Sequence, residues 1–485
     1  MVLHRFLVCV VACAAFPVHA QEAYLHLNGS VHIHSTYSTG SASIEEIARQ
    51  ATEDGLDVLV ITDDDLLKVE YGIPFLRNLA IPREERAVFS NEGIGKYLDE
   101  IDRVAGLYPE LVIIDGIESA PFYYWEVDLG QMRWTLRSWG KHMIAMALES
   151  EEAYAGLPIM GSQSIEVWHW SSVILLWPLL GVAYCLISRS RSVAITVGAV
   201  SAVCLINNLW PLTQGNLPFK VSLMDPYNGD LGPAPYQNYI DYVEKRGGLA
   251  LWPHPEAKFD IRVESVMGIL EVAGVTPPHP GDLTDTDGYT AFSALYADRI
   301  TVTEPGEEWD RILFQYLDGE RERPVWGTGE IDYHNDRKGR INNILTVFLA
   351  PDRTRDAVIE AMRVGRMYAT RGGEERLVLN QFTVTSEAGS GVAGEEIASL
   401  GQARVSVRIG TLDGSSQRVR LRLIRSGTVV ADISAMTPVE FEHVDTDIRE
   451  GDSLYYRILG SLHKVVLVSN PIFVTGAAPA AQAPL

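Results

Sequence analysis

Cysteine is scarce in this chain, with four in 485 residues. Cys9 and Cys13 lie in an N-terminal apolar run, and Cys185 and Cys204 lie in two later apolar runs. If the first run is removed and the later runs lie in lipid, the water-exposed parts contain no cysteine. This excludes a disulfide framework, a disulfide-linked partner and a thiolate zinc site. Any metal site must therefore use His, Asp and Glu.

Positive charge is also in short supply. Lys and Arg number 40 against 63 Asp and Glu, which makes the formal net charge -23. Such a chain is poorly suited to neutralise a phosphate backbone, which argues against a nucleic-acid polymer as partner. The hydrophobic fraction of 47% and the charged fraction of 21% exclude a disordered or collagen-like protein. The length allows two or three domains.

The N-terminus has the pattern of a secretory signal. Arg5 precedes an apolar run at 6–16, and Val18-His19-Ala20 forms a small-x-small cleavage site before Gln21. We therefore predict a signal peptide at 1–20 and export of the mature chain. A lipoprotein signal ending at Cys13 is the second interpretation, because it would leave a very short apolar region.

Two long runs lack Asp, Glu, Lys and Arg, at 167–187 and 192–212. Each has 21 residues, enough to cross a bilayer as a helix. Arg189 and Arg191 lie between them and place that loop in the cytoplasm. We predict a transmembrane hairpin within an insertion at 150–235, which would hold the rest of the chain on the periplasmic side of the inner membrane. A buried hairpin in a soluble protein is the alternative.

The region before residue 376 alternates short apolar strands with amphipathic helices. Ser43 and Glu46 form a capping box before one helix, Gly55 ends it, and a second helix is predicted at 236–246. Strands are predicted at 24–34, 57–62, 111–118, 141–148, 249–252, 268–274, 324–328 and 341–349. This order indicates an α/β protein with a mainly parallel sheet.

From 376 to 475 the pattern changes to alternating polar and apolar residues, as in ARVSVRI and RVRLRLI. Gly, Asp and Ser turns separate these segments, which predicts an all-β sandwich domain. Residues 476–485 (GAAPAAQAPL) are expected to be a disordered tail.

Histidines and acids occur at the predicted strand ends, where the functional side chains of α/β proteins gather. His32 and His34 are two residues apart on a strand, so both should point to one face, and Asp332 and His334 repeat that spacing. The remaining candidates are Asp63, Asp64, Glu118, His142 and His254. Imidazole and carboxylate ligands suit Zn, Mn or Fe without selecting among them. Each residue alone has an ordinary structural explanation, whereas the joint pattern predicts a metal centre.

The segment HIHSTYSTGSASIEEIARQATEDGLDVLVITDDD resembles the opening of the PHP (polymerase and histidinol phosphatase) superfamily. The later marks follow in order: Gly116 to Glu118, an isolated His142, a His-Pro at His254, and the Asp-x-His that begins at Asp332. The resemblance covers about residues 26–150 and 245–375. GRMYATRGG and SNPIFV resemble the carbaryl-hydrolase-like (CehA/McbA) branch, which joins such a domain to a β-rich one.

The resemblance implies a distorted (β/α)7 barrel with up to three metals. His32, His34, Glu118 and Asp332 would hold the first, and Glu118 would bridge to a second held by His142 and His254. His334 would contribute to a third. Asp64 stands where the pattern has His, and Gly40 stands where some members have another ligand. We therefore expect two metals, with Asp64 and His334 as the remaining pair for a third.

These residues predict a metal-dependent hydrolase in which an activated hydroxide attacks phosphorus or an acyl or carbamoyl carbon. Asp63 would orient a ligand, and Arg337, Lys338 and Arg340 are candidates to contact an anionic substrate. A phosphoesterase is preferred over a carbamate or amide hydrolase. A catalytically silent binding or sensor protein is the alternative from another class.

The strand of His142 leads into the predicted hairpin. Because connections from the carboxyl ends of barrel strands lie on the active-site face, the hairpin would hold the metal site near the periplasmic surface of the inner membrane. A substrate at the membrane interface then becomes a hypothesis, against simple tethering as the alternative.

Overall fold

The computed structural model describes residues 24–73, 76–128, 130–160, 166–168, 173, 175–209, 220–222, 226, 229–266, 270–297, 300–335 and 340–477. The predicted signal peptide, Arg337 and Lys338 lie outside the described residues.

The described residues before 340 form fifteen strands and nine α-helices. The strands are β1 Leu25–Ile33, β2 Val58–Ile61, β3 Lys68–Ile73, β4 Leu76–Glu84, β5 Val112–Ser119, β6 Tyr124–Asp128, β7 Arg133–Arg137, β8 Met143–Met146, β9 Glu166–Trp168, β10 Lys220–Ser222, β11 Leu249–Trp252, β12 Phe259–Val266, β13 Leu270–Thr276, β14 Ala291–Leu295 and β15 Trp326–Tyr333. The helices are α1 Ile44–Glu53, α2 Val88–Asn91, α3 Ile94–Leu107, α4 Glu151–Ala155, α5 Pro178–Ile187, α6 Arg191–Leu209, α7 Ala234–Glu244, α8 Asp282–Asp285 and α9 Glu308–Leu317.

Seven strands close into a barrel, in the order β1-β2-β5-β8-β11-β14-β15, with β15 pairing back to β1. The expected barrel is therefore present, although its membership differs from the sequence analysis. That analysis did not single out β14, and it included 268–274 in the series. The described part of that segment, from residue 270 on, instead belongs to β13, in a separate four-stranded sheet with the order β12-β13-β7-β6. This smaller sheet covers part of one end of the barrel.

One barrel strand runs against the others. β8 pairs antiparallel with both β5 and β11, whereas the other five barrel pairings are parallel. Ser119, at the carboxyl end of β5, pairs with Met143 at the start of β8. His142 therefore reaches the same barrel mouth from the amino end of its strand. The chain leaves β8 at the opposite end of the barrel. The sequence analysis placed the hairpin on the active-site face because it assumed that the carboxyl end of this strand lies at the barrel mouth, and that assumption is wrong.

The first helix forms as its sequence predicts. The Ser43 hydroxyl accepts from the Glu46 amide while the Glu46 carboxylate accepts from the Ser43 amide. The apolar side chains of α1 are fully buried against the barrel: Ile44, Ile47, Ala48 and Ala51. The helix ends at Glu53, and Gly55 follows with a φ of 69°. Helix packing of this kind covers the outer side of the parallel strands.

The insertion forms a helical hairpin, but its first arm is shorter than predicted. Residues 166–168 are a strand paired antiparallel with β10, and helix α5 begins only at Pro178. The prediction of a helix over 167–187 is therefore wrong at Val167 and Trp168, where the chain pairs with the returning end of the insertion. The second arm, α6, is a 19-residue apolar helix. In the described part of the chain it is the one helix long enough to cross a membrane by length and composition.

The chain after residue 340 adds twelve strands and one α-helix. The strands are β16 Ile344–Ala350, β17 Met367–Arg371, β18 Leu377–Ser386, β19 Gly389–Gly391, β20 Glu396–Ala398, β21 Gly401–Thr411, β22 Arg418–Arg425, β23 Thr428–Met436, β24 Val439–Ile448, β25 Ser453–Ser461, β26 Val465–Ser469 and β27 Ile472–Thr475, and the helix is α10 Arg355–Arg363.

The C-terminal strands form two sheets around one apolar core. One sheet has the order β19-β18-β21-β24, and the other has the order β17-β26-β25-β22-β23. Val405 and Leu421, one from each sheet, are fully buried in that core. β17 also pairs with β16, and β16 pairs with β1, so hydrogen bonding is continuous from the barrel into this region. The domain boundary at 376 stays a prediction.

A buried ion pair joins the two regions. Arg457 of β25 donates to both carboxylate oxygens of Asp310 in α9, at 2.8 and 2.7 Å, and both side chains are fully buried. Removing one partner of such a pair leaves a buried charge uncompensated, which costs several kcal/mol.

Candidate metal centre

The candidate ligands converge on Glu118 at the carboxyl end of β5. Oε1 of Glu118 lies 3.2 Å from His32 Nε2, 2.8 Å from His142 Nδ1 and 3.3 Å from His254 Nε2. Its other oxygen, Oε2, lies 3.2 Å from His34 Nε2. One carboxylate thus faces four imidazoles, which come from β1 and the residue after it, from the residue before β8 and from the loop after β11.

Asp332 forms a second point of convergence. Its Oδ1 lies 3.5 Å from Nε2 of both His32 and His34, and 3.0 Å from His334 Nε2. The His334 ring stacks on that of His34, with centroids 4.2 Å apart. The structure therefore brings together both dyads that the sequence analysis singled out.

Ligand atoms lie within 4.8 Å of one another in three groups. These groups are His32, His34 and Glu118; Glu118, His142 and His254; and His34, Asp332 and His334. The first two share Glu118, as expected of a carboxylate that bridges two ions. The third contains His334, which the resemblance assigns to a third metal.

The backbone around these ligands is irregular. His32, His254 and Asp332 have φ values of 72°, 32° and 50°, in a region that non-glycine residues seldom adopt. The pairing of β1 with both neighbours shifts register between Val31 and Ile33. His32 and His34 therefore reach one site through a bulge, and not through the plain strand alternation used to predict it. Strained backbone of this kind is concentrated at functional sites.

The cluster is electrostatically coupled. Burial by itself raises the pKa of Glu118, but the charges of His32 and His142 and hydrogen bonds from His142 and His254 hold that pKa well below its usual range. Burial lowers the pKa of His32, but Glu118 and Asp332 outweigh it and raise that pKa to about 10. Protons and divalent cations would compete for these imidazoles.

Several buried nitrogens in the cluster form no hydrogen bond. They are both ring nitrogens of His32, Nε2 of His34 and Nδ1 of His254. Buried polar atoms are almost always satisfied in folded proteins, so such a concentration calls for a ligand. Imidazole nitrogens beside carboxylates are suitable donors for Zn, Mn or Fe. The residues present therefore fit the expected divalent metals.

Asp63 lies behind the cluster, on the loop that follows β2, and it contacts the loop that follows β1. Its carboxylate accepts from the amide and hydroxyl of Ser35, both at 2.7 Å, and from the amide and hydroxyl of Ser38 at 3.0 and 2.6 Å. Ser38 Oγ is in turn 3.4 Å from His34 Nδ1. Asp63 is fully buried, so its contacts are those of a residue that positions the loop carrying His34.

The structure shows the surroundings of Asp64 and Gly40, the two positions that depart from the family pattern. Asp64 Oδ2 is 3.2 Å from His34 Nδ1 and accepts from Thr39 Oγ1 at 2.8 Å, and Thr39 Oγ1 is 3.1 Å from His334 Nδ1. Thr39 thus links Asp64 to His334. A Cβ on Gly40 would lie 2.2 Å from the His34 carbonyl oxygen, so position 40 has no room for a ligand side chain.

Arg340 does not join the cluster. Its guanidinium pairs with Asp54, next to the end of α1, and its side chain is 61% exposed. It does not line the cavity described below. The predicted contact of Arg340 with substrate is therefore not supported by its position, because Asp54 draws the side chain away from the barrel mouth.

Glu330 is a site residue that the sequence analysis missed. It is buried at the carboxyl half of β15, its Oε2 lies 3.4 Å from His32 Nδ1, and its Oε1 accepts from Thr328 Oγ1 at 2.7 Å. A carboxylate this close to Nδ1 attracts the imidazole and favours the ring orientation that turns Nε2 toward Glu118. Its position two residues before Asp332, on the same strand, was the available signal.

The cluster opens into a cavity of about 770 Å³. One side carries candidate ligands, among them His32, Asp64, Glu118 and Asp332. The other side is lined by aromatic and aliphatic side chains of the smaller sheet and of β3, including Trp125, Phe259 and Ile261, and by Trp139, which follows β7. Such a volume accommodates a substrate much larger than a phosphate ion.

Comparisons with solved structures find two proteins described as metal-dependent phosphoesterases and one described as an amidohydrolase. A two-domain protein from Bacteroides vulgatus that contains a predicted PHP-like metal-dependent phosphoesterase is 11% identical, with a TM-score of 0.33, over 94% of this chain and 98% of its own. A protein from Bifidobacterium adolescentis described as a metal-dependent phosphoesterase is 14% identical, with a TM-score of 0.25, over 64% of this chain and 88% of its own. An amidohydrolase from Chromobacterium violaceum is 13% identical, with a TM-score of 0.26, over 63% of this chain and 87% of its own.

No family model and no curated protein matches the chain. None of the three descriptions of solved structures names the carbaryl-hydrolase-like branch.

Proposed function

We propose that the protein is a metal-dependent hydrolase whose centre is built by His32, His34, Glu118, His142, His254 and Asp332. The observation that carries the proposal is the position of Glu118, with Oε1 facing three histidines and Oε2 facing a fourth. A carboxylate in that position is suited to bridge two divalent ions. His334 and Asp64, joined through Thr39, remain as candidates for a third.

When bound, ions in such a site lower the pKa of a coordinated water and stabilise negative charge at the attacked centre. The chain's own contribution is to hold the ligands in place. Glu330 faces Nδ1 of His32, and Asp63 fixes the loop of His34. The cavity wall facing the cluster keeps the substrate beside the ligands and limits access of bulk water.

The proposal is tested by elemental analysis of the purified full chain, with the hairpin in detergent, alongside a His32→Ala, His34→Ala variant. Two metals per chain, lost in the variant, are expected. Three would assign Asp64 and His334 to a further ion. A value near zero after Zn, Mn and Fe have been supplied would contradict the proposal and favour a catalytically silent binding protein.

A phosphoester is the first substrate class that we propose, because the motif order resembles PHP phosphoesterases. A carbamate or amide is the second, and it is favoured by the shortage of cations around the cavity. Among the described lining residues, Lys258 is the one Lys or Arg, and it pairs with Asp260 at 3.2 Å. Parallel assays with p-nitrophenyl phosphate and an aryl carbamate on metal-loaded protein separate the two classes.

We further propose that the hairpin of α5 and α6 anchors the protein in a membrane. In α6 the buried residues are the polar Ser201 and Asn208, whereas Ile195, Val203 and Ile206 are 72%, 67% and 62% exposed. This is the reverse of a water-soluble helix. The two arms pack through small residues, since a Cβ on Gly181 would lie 2.0 Å from Ser201 Oγ. With an N-terminal signal, the barrel would lie on the periplasmic side.

Alkaline extraction of membranes containing the full chain tests the anchor. The protein should stay in the pellet, and an Ile195→Asp, Val203→Asp variant should be released, because charge within the bilayer is costly. A Val444→Asp variant, altered at an exposed position of β24, is the matched control. Release of the unmodified chain would contradict the anchor.

A further inference from the structure

The wall opposite the metal cluster is apolar. Trp125, Leu136 and Val272 pack together with Val69 and Tyr123 in a cluster separate from the barrel core. Trp139, Phe259 and Ile261 complete this wall, and all but Tyr123 line the cavity. Ile261 is 48% exposed although it is a large aliphatic residue. An apolar surface beside polar ligand groups has the character of a binding site for a ligand with an apolar part.

The charges around the cavity limit how many anionic groups the substrate can carry. Glu85, Glu118, Glu330, Asp64 and Asp332 line it, against Lys258 as the one Lys or Arg among the described lining residues. Two divalent ions would balance the charge of one anionic head group at the cluster, or would bind one uncharged polar head group. A nucleotide or other polyanion would bring further negative charges, and the described lining residues offer no second Lys or Arg to meet them.

The cavity is also connected to the helical hairpin. Leu67 and Val69, at the start of the β3–β4 hairpin, line the cavity, and the other strand of that hairpin packs against α6. The insertion therefore approaches the barrel mouth through β4. This route replaces the one rejected above, since β8 itself leaves the barrel at the opposite end.

We propose that the substrate is an amphiphile with one polar head group and a flexible aliphatic chain. The head lies at the metal cluster, and the chain lies along the wall of Trp139, Phe259 and Ile261. This inference rests on the proposed function for the placement of the head group. It adds the chemical class of the remainder of the substrate.

The test measures equilibrium binding of ethyl-, butyl-, hexyl- and octylphosphonate by calorimetry. The full chain is reconstituted in lipid nanodiscs and loaded with metal, and empty nanodiscs correct for partition of the probes into lipid. Each buried methylene is expected to lower Kd by about fourfold. Because Ile261 is half exposed, Ile261→Asn should leave the fold intact. It should weaken the binding of octylphosphonate and leave the binding of ethylphosphonate unchanged. Val444→Asn, outside the cavity, is the matched control and should change neither.

A Kd independent of chain length, or no binding at any length, would overturn the inference. So would tighter binding of phenylphosphonate than of octylphosphonate, which would indicate a rigid aromatic group instead of a flexible chain. If chain-length dependence persists in protein that holds no metal and has no turnover, the inference stands and the proposed hydrolase fails. If metal and turnover are present without chain-length dependence, the hydrolase stands and the inference fails.

Discussion

The two walls of the cavity differ in composition and in origin. The ligand wall consists of charged side chains at the mouth of the seven-stranded barrel, held by irregular backbone at His32, His254 and Asp332. The apolar wall comes mainly from a four-stranded sheet outside the barrel and consists of ordinary packed side chains such as Val272 and Leu136. Under the proposals made above, the barrel supplies the chemistry and the added sheet selects the substrate. Changes in the two walls should therefore affect different measured quantities.

The largest effect is expected at Glu118. Glu118→Gln keeps the shape of the side chain but removes the charge that faces four imidazoles. We expect metal content to fall by at least one ion per chain and kcat to fall by more than about 100-fold, because losing a ligand should exceed the effect of losing its support. Elemental analysis and steady-state kinetics on the same preparation measure both. Full metal content with unchanged kcat would mean that the ligand wall is misassigned.

Glu330 tests the support of that wall. Glu330→Gln should weaken metal affinity by about 10–100-fold, because the carboxylate that faces His32 Nδ1 orients the ring. Competition with a calibrated chelator measures this affinity. Glu442→Gln, at an exposed position of β24, is the matched control and should have no effect. Equal metal affinities in the two variants would show that Glu330 does not support the metal ligands.

A substitution at Gly40 tests whether a lack of space excludes a ligand side chain from this position of the ligand wall. Gly40→Ala forces a Cβ against the His34 backbone and should destabilise the fold by about 1–3 kcal/mol. Gly281→Ala is the control, because its φ is -61° and nothing lies within 4 Å of the added Cβ. Denaturant unfolding of both variants gives the difference. A neutral Gly40→Ala would show that the loop yields easily and that a ligand at position 40 is sterically possible.

Trp139 tests the apolar wall and should have the smallest effect on the chemistry. Its half-buried ring contacts Tyr123 edge to face, with centroids 5.6 Å apart. Trp139→Ala should raise KM for a long-chain substrate by about 10-fold through lost apolar contact, while kcat changes little. Kinetics with short-chain and long-chain substrates separate the two parameters. An equal loss of kcat with both substrates would mean that this wall also positions the metal ligands.

Much of the site could be predicted from the sequence because its ligands are chemically distinctive and occur at strand ends. This reasoning selects six candidate ligands that the structure brings together, namely His32, His34, Glu118, His142, His254 and Asp332. Glu330 was missed, since its spacing of two residues from Asp332 does not by itself show that the strand brings its carboxylate to His32. Arg340 was misassigned because its pairing with Asp54 involves residues 286 positions apart.

The apolar wall could not be predicted at all. Its residues come from segments scattered between Val69 and Val272, and each segment alone reads as an ordinary strand. The sequence analysis predicts the GILEVAG segment as one more strand of the mainly parallel sheet, because local periodicity does not show which sheet a strand joins. Its parallel pairing with β7 placed it over the barrel mouth instead.

The sequence by itself determined the local features: the capping box of α1, the alternation of strands and helices, the apolar hairpin and the identity of the metal-type ligands. These depend on residues close together along the chain. The tertiary structure alone decided the reversed direction of β8, the bulge at His32, the convergence on Glu118 and the apolar wall facing it. Each of these depends on backbone pairing and packing between distant segments, which neither local propensity nor hydrophobic periodicity encodes.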